Sequence, residues 1–102
     1  GAILEDHALH SLCATLIEKI TVLLTLLSSA EMAINSPVRR ALASLMGTVC
    51  NLSLKYNNAI VLETNHVREV LAKILSLLHN TGDLAVKYAA QTLKNLDCHA
   101  YR

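Results

Sequence analysis

The sequence predicts a single all-α domain over residues 1–102, and three observations carry that reading. Apolar residues recur at three- and four-residue spacings along most of the chain, the mark of one buried face per helix. One proline and three glycines leave too few tight turns for a sandwich or barrel of many short strands. With 53% apolar residues in 102, one core can form, whereas two ordinary domains would each bury too little surface.

In the first third, Leu9, Leu12, Cys13, Leu16, Ile17, Ile20, Leu23, Leu24 and Leu27 follow helical spacing. They read as one long helix or as two with a break near Cys13-Ala14-Thr15, and periodicity does not choose between these. Ser36-Pro37 then announces a helix, because Ser accepts a backbone N–H at the N-cap and Pro has no donor to lose at the first helical position. Its stripe is Val38, Ala41, Leu42, Leu45, Met46, Val49 and Leu52, with Gly47 as an internal soft spot. The short apolar run Asn58 to Leu62 predicts one or two helical turns. Val67, Val70, Leu71, Ile74, Leu75 and Leu78 give the next helix, with Glu69 and Lys73 four apart on its solvated side. His79-Asn80-Thr81-Gly82 ends it, with Asn or Gly able to take the left-handed conformation, and Asp83 is placed to cap the last helix. That helix carries Val86, Ala89, Ala90, Leu93 and Leu96, its small alanines allowing close approach of a neighbour.

Nine basic and eight acidic residues give a net charge of +1, so no single-sign field draws in a polyanion, and nucleic acid is disfavoured as a partner. The longest uncharged stretch, Ala41 to Leu54, is shorter than the roughly 18 apolar residues of a membrane span, so no transmembrane helix and no membrane partner are expected. The first residues lack a basic segment followed by an apolar one and do not read as a secretory signal. Three cysteines, Cys13, Cys50 and Cys98, are odd in number and sit within apolar helical patterns, which suits a reducing compartment, cytoplasmic or nuclear.

The chain also repeats itself. Val49-Cys50-Asn51-Leu52 recurs 44 residues on as Leu93-Lys94-Asn95-Leu96, an Asn-Leu pair closing each helix. The leucine-rich run from Leu16 is echoed from Val67, 51 residues on. Units of this period, each with a short, a medium and a long helix, are the pattern of a helical solenoid. The segment from Asn58 to Leu96 resembles an armadillo repeat. Asn58 to Glu63 is similar to its first helix, Val67 to Leu78 to its second, and Val86…Ala89-Ala90…Leu93-Lys94-Asn95-Leu96 to its third, with Asn65 at the usual turn glycine. Residues 9–53 match more loosely, and ordinary HEAT-like helix pairs are the nearest competitor.

The resemblance implies an armadillo-like α-solenoid fragment of about two repeats wound as a right-handed superhelix. Two units leave apolar end faces uncovered, so a fragment or terminal part of a longer solenoid is expected. In the armadillo family the third helices line a groove where the terminal Asn bonds the backbone of an extended peptide, which carries over to Asn51 and Asn95. The competing reading is that each Asn only caps its helix or bonds a loop. Family members that import nuclear cargo have a tryptophan four residues earlier, where this chain has Gly47 and Gln91, so recognition of import signals is not implied. A groove lined by Lys87, Tyr88, Gln91, Lys94 and Asn95 would be polar and mildly basic, fitting an acidic or mixed peptide.

Other constellations are weaker. Arg39-Arg40 offers bidentate donors for an anion, yet reads first as solvated charge in a helix's first turns. His7, His10 and Cys13 recur every three residues without a fourth ligand at metal spacing, and Asp97-Cys98-His99 does not make a positioned triad. No phosphate loop, nucleophile elbow or metalloprotease motif is present. A non-enzymatic protein-interaction scaffold without cofactor or metal is expected. The alternative is a helical oligomerisation module, in which the Leu-rich first helix and other exposed apolar faces pair with another copy as a homodimer, so that Leu16, Ile20, Leu23 or Leu27 changed to Glu would give unfolded chain or monomer.

Overall fold

The computed structural model describes residues 2–29, 37–79 and 81–101. They form five helices, α1 (Ala2–Ser29), α2 (Pro37–Leu52), α3 (Tyr56–Thr64), α4 (Val67–Leu78) and α5 (Leu84–Ala100), with no strand among them. The all-α class stands, and of the two readings of the first third the single helix is correct. Nothing between Ala2 and Ser29 breaks it: there is no Gly or Pro, and Thr21 and Thr25 donate their hydroxyls back to the carbonyls of Ile17 and Thr21 at 2.8 and 3.0 Å. At about 1.5 Å per residue its 28 residues span about 42 Å, which sets the 45 Å length of the molecule.

Helices α1 and α2 pack together, as do α4 and α5, and the two pairs lie against each other with α2 on α5 and α1 on α4. The short α3 touches α1, α4 and α5. Between them lies one core built from Cys13, Ile20, Leu42, Met46, Leu62, Leu71, Ile74 and Leu96, among others. Gly47 has a packing role beyond its flexibility: a Cβ there would meet the Tyr88 ring at 3.4 Å, so the ring of α5 lies directly over the α2 backbone.

Polar side chains pin α2 and α5 at both ends. Arg39, 3% exposed, donates from Nε to Oδ2 of Asp83 at 2.7 Å, while Oδ1 of Asp83 accepts from the Ala85 backbone N–H at 2.9 Å as the N-cap of α5. At the far end Nδ2 of Asn95 donates to Oγ of Ser53 at 2.9 Å. Because start is tied to start and end to end, α2 and α5 run in the same direction.

Several expectations need correction. Arg39 is a buried ion-pair partner, and only Arg40 is solvated as expected. The left-handed residue of the α3–α4 turn is His66 (φ 61°, ψ 39°); Asn65, at φ −94°, donates from Nδ2 to the Val61 carbonyl at 2.8 Å and closes α3. Leu16, Ile20 and Leu27 are buried and Leu23 half-buried against this chain's own core, so these four positions offer no free face. Glu69 and Lys73 are both exposed but form no ion pair. The expectation that no helix reaches membrane length is not met by α1. Glu18 and Lys19 interrupt the uncharged run, yet His7–Leu27 is long and apolar enough to cross a bilayer by length and composition. In this fold the same stretch supplies Cys13, Leu16, Ile20, Leu24 and Leu27 to the core. Gly82 does take the left-handed conformation (φ 70°), and Asp83 caps as expected. The Ser36 cap and Asn80 lie outside the described residues.

A left-handed non-glycine costs about 1–2 kcal/mol, so His66→Gly should raise stability by about 0.5–1 kcal/mol after the added chain entropy, whereas Asn65→Gly should lower it by removing the bond to Val61. Urea unfolding of the two variants checks the order. Asp83→Ser keeps an N-cap oxygen but removes the carboxylate facing Arg39. It should lose more than the roughly 1 kcal/mol that a cap alone is worth, because a buried guanidinium loses one of its partners.

Candidate functional site

Helix α5 turns Lys87, Gln91 and Lys94 to solvent at i, i+4 and i+7, a single stripe on the face away from the buried Ala85, Ala89, Thr92 and Leu96. Tyr88 is half-buried beside it, with its ring on Gly47 and its carbonyl accepting the Thr92 hydroxyl at 2.6 Å. Asn51 is exposed at the end of α2. These five therefore reach the surface, with two positive charges and no acid on the stripe itself.

Asn95 is different. It is 9% exposed, and both halves of its amide are engaged inside the protein: Nδ2 donates to Ser53 and Oδ1 accepts from Nε2 of Gln91 at 2.9 Å. Ser53 in turn donates to the Cys50 carbonyl at 2.6 Å, and its own carbonyl meets Nε2 of His99 at 2.9 Å. Three residues of α5 and Ser53 of the α2–α3 loop thus form one polar knot. Its geometry matches the loop-bonding reading of Asn95, and it fixes the orientation of Gln91 on the exposed stripe.

Sequence reasoning passed over a second concavity. A cleft of about 740 Å³ lies between α3, the start of α4 and the end of α5, bounded by Tyr56, Ile60, Glu63, Arg68, Leu96 and His99. At its rim Arg68 donates from Nε to Glu63 at 2.7 Å and from Nη2 to Asp97 at 3.0 Å. The hydrogen bond to Glu63, joined by that to Asp97, raises the guanidinium pKa above its ordinary value against some lowering by burial. Tyr56 meets His99 edge to face at 5.9 Å between centroids. Since Nε2 of His99 faces a carbonyl, that nitrogen carries the proton, and its buried Nδ1 has no partner among the described residues. Adjacent residues in Asp97-Cys98-His99 gave no hint of this, because Asp97 turns to Arg68 and His99 to Ser53, a residue 46 positions upstream.

The remaining candidates do not converge. His7 and His10 are exposed while Cys13 is fully buried, and burial pushes the Cys13 thiol above its ordinary pKa, which lowers its thiolate fraction near neutrality. No three His, Cys, Asp or Glu side chains among the described residues gather around a point that would hold a metal ion.

Asn95→Ala removes two hydrogen bonds in a nearly dry setting and frees Gln91. A loss of about 1–3 kcal/mol is expected, with helical content at low denaturant unchanged; circular dichroism with urea titration measures both.

Comparison with models of known families finds no match, and neither curated proteins nor solved structures yield one.

Proposed function

We propose that this chain is a non-enzymatic protein-interaction module of armadillo-like packing. Its partner segment is an extended acidic or mixed peptide lying along Lys87, Gln91 and Lys94 of α5 and Asn51 of α2. The observation that carries this reading is the parallel pairing of α2 and α5, with Asn95, beneath an exposed basic stripe, holding Gln91 within it. Like-on-like stacking of α1 on α4 and α2 on α5 supports two consecutive solenoid units. Within this reading Asn95 is a positioning residue and Tyr88 a packed wall, while Asn51, Gln91 and the two lysines make the contacts. An amide and two ammonium groups read backbone carbonyls and carboxylates without performing chemistry on them. A cytoplasmic or nuclear location fits three free cysteines, one of them exposed.

Fluorescence anisotropy with two short labelled extended peptides, one of Glu and Ser and one of Lys and Ser, tests the proposal. The acidic peptide should bind, more tightly at low salt. Replacing Lys87 and Lys94 together by Glu should weaken it by roughly three- to tenfold or more, since each exposed ion pair contributes up to about 1 kcal/mol. Equal affinity for both peptides, or none for either from a folded protein, would remove the groove reading.

A second reading, self-association, is favoured by a separate observation: α1 exposes Leu12 and Leu26 at 46% and Val22 at 55% while its other side fills the core.

A further inference from the structure

The layer formed by α2 and α5 carries unbalanced positive charge. Helix α2 has no acidic residue, and α5 with its cap has two, Asp83 and Asp97. Each is already committed to an arginine. Asp83 accepts from Arg39 at 2.7 Å through Oδ2 and from the Ala85 N–H at 2.9 Å through Oδ1, while Asp97 accepts from Arg68 at 3.0 Å. The lysines and arginines left over in this layer are Arg40, Lys87 and Lys94, all exposed and none with a hydrogen-bond or ion-pair partner among the described residues.

Arg40 stands on the α2 side of the same surface. Arg40, Ser44, Gly47 and Asn51 follow at i, i+4, i+7 and i+11, one stripe of α2, and the Tyr88 ring over Gly47 sets that stripe beside α5. At its start lies a pocket of about 210 Å³ lined by Arg40, Ala43, Thr81, Gly82 and Leu84 together with the Arg39–Asp83 pair. Leu84 is half exposed there and gives the pocket an apolar wall beside the guanidinium.

We propose that this pocket anchors a side-chain carboxylate of the bound peptide on Arg40, and that the peptide carries two acidic residues four apart, one at Arg40 and the other at Lys94. The inference rests on the groove reading of α2 and α5, and adds to it a third cation, an anchor pocket and a spacing. A carboxylate suits Arg40 because the planar guanidinium offers two parallel N–H donors that one carboxylate accepts together. The acid already in the pocket does not compete, since both oxygens of Asp83 are taken.

The spacing follows from helix rise. Leu84, at the pocket, and Lys94 are ten residues apart on α5, about 15 Å along its axis. An extended peptide advances about 3.3 Å per residue and turns alternate side chains to one side, so its positions i and i+4 lie about 13 Å apart on the same side. The flexible lysine stem takes up the difference. Lys87, about 4.5 Å beyond Leu84 along the axis, lies between the two acids and attracts both. Two adjacent acids point to opposite sides of an extended chain, and only one of them meets the groove.

Fluorescence anisotropy with two labelled Ser-rich peptides of equal length and charge tests the proposal, one with its two Glu four residues apart and one with them adjacent. The spaced peptide should bind about threefold or more tightly than the adjacent one at low salt. Arg40→Gln should weaken it by about three- to tenfold and abolish its advantage. Arg40→Lys should restore only part of the loss, because it keeps the charge without the fork. Lys73→Gln, which removes one exposed charge from α4, should leave both affinities unchanged. All three substitutions are at exposed positions, so the circular dichroism spectrum should not change. Binding that depends on Lys87 and Lys94 but loses no more on Arg40→Gln than on Lys73→Gln would overturn the anchor and leave the groove reading standing. Equal affinity of the wild-type chain for the spaced and adjacent peptides would overturn the spacing and the proposal with it. Binding of neither peptide by the folded wild-type chain would overturn this inference and the groove reading together.

Discussion

The placement of α2 against α5 depends on the Arg39–Asp83 pair. Apolar contact is non-directional and roughly proportional to area, so two apolar helix faces can slide by a turn of about 5.4 Å and still bury similar surface. A guanidinium at 3% exposure cannot slide with them. Displaced by a turn, it would lose the Asp83 carboxylate while staying out of water, a penalty that apolar contact does not impose. The pair contributes little net stability compared with an apolar replacement of the same shape; it selects one alignment. Asp83 is also the N-cap of α5, so the residue that starts the helix is the one that locates it.

At the other end, the knot of Ser53, Asn95, Gln91 and His99 repeats the device with neutral groups. Two pins about a helix length apart hold α2 and α5 parallel, and the rest follows. Once that pair is aligned, their partners α1 and α4 are brought side by side, and α3 fills the space between α1, α4 and α5. Gly47 admits Tyr88 between the pins, where a larger side chain would push α5 away. The exposed stripe of α5 is a consequence of this alignment: with one side of the helix committed to α2 and α4, Lys87, Gln91 and Lys94 have only solvent to face.

Local features were legible in the sequence because their causes are local. The spacing of Val67 to Leu78, the cap at Asp83, the glycine at position 82 and the short helix around Ala59 each follow from residues within a few positions. Features with distant causes were not legible. Arg39 reads as a solvated charge unless one knows that Asp83, 44 residues on, arrives beside it. The turn before α4 was off by one because Asn65 is a good left-handed residue but an equally good C-cap, and its amide found the Val61 carbonyl first, leaving the positive φ to His66. In α1 leucines lie on both the inner and the outer side, so composition could not say which of them face in. Only the packing against α2, α3 and α4 separates Leu16 and Ile20 from Leu12 and Val22.

The repeat signal that drew attention to Asn51 and Asn95 joins two residues with different fates. Both close a helix and both precede a leucine, yet Asn51 is exposed and Asn95 is nearly dry with its donor and acceptor engaged. The difference arises from the neighbour: Asn95 has the α2–α3 loop beside it, which presents the Ser53 hydroxyl. In this fold the Asn95 amide therefore serves as a tie between α5 and the α2–α3 loop. Gln91, which that tie orients, lies at the surface with Lys87 and Lys94, and Asn95 lies one layer beneath.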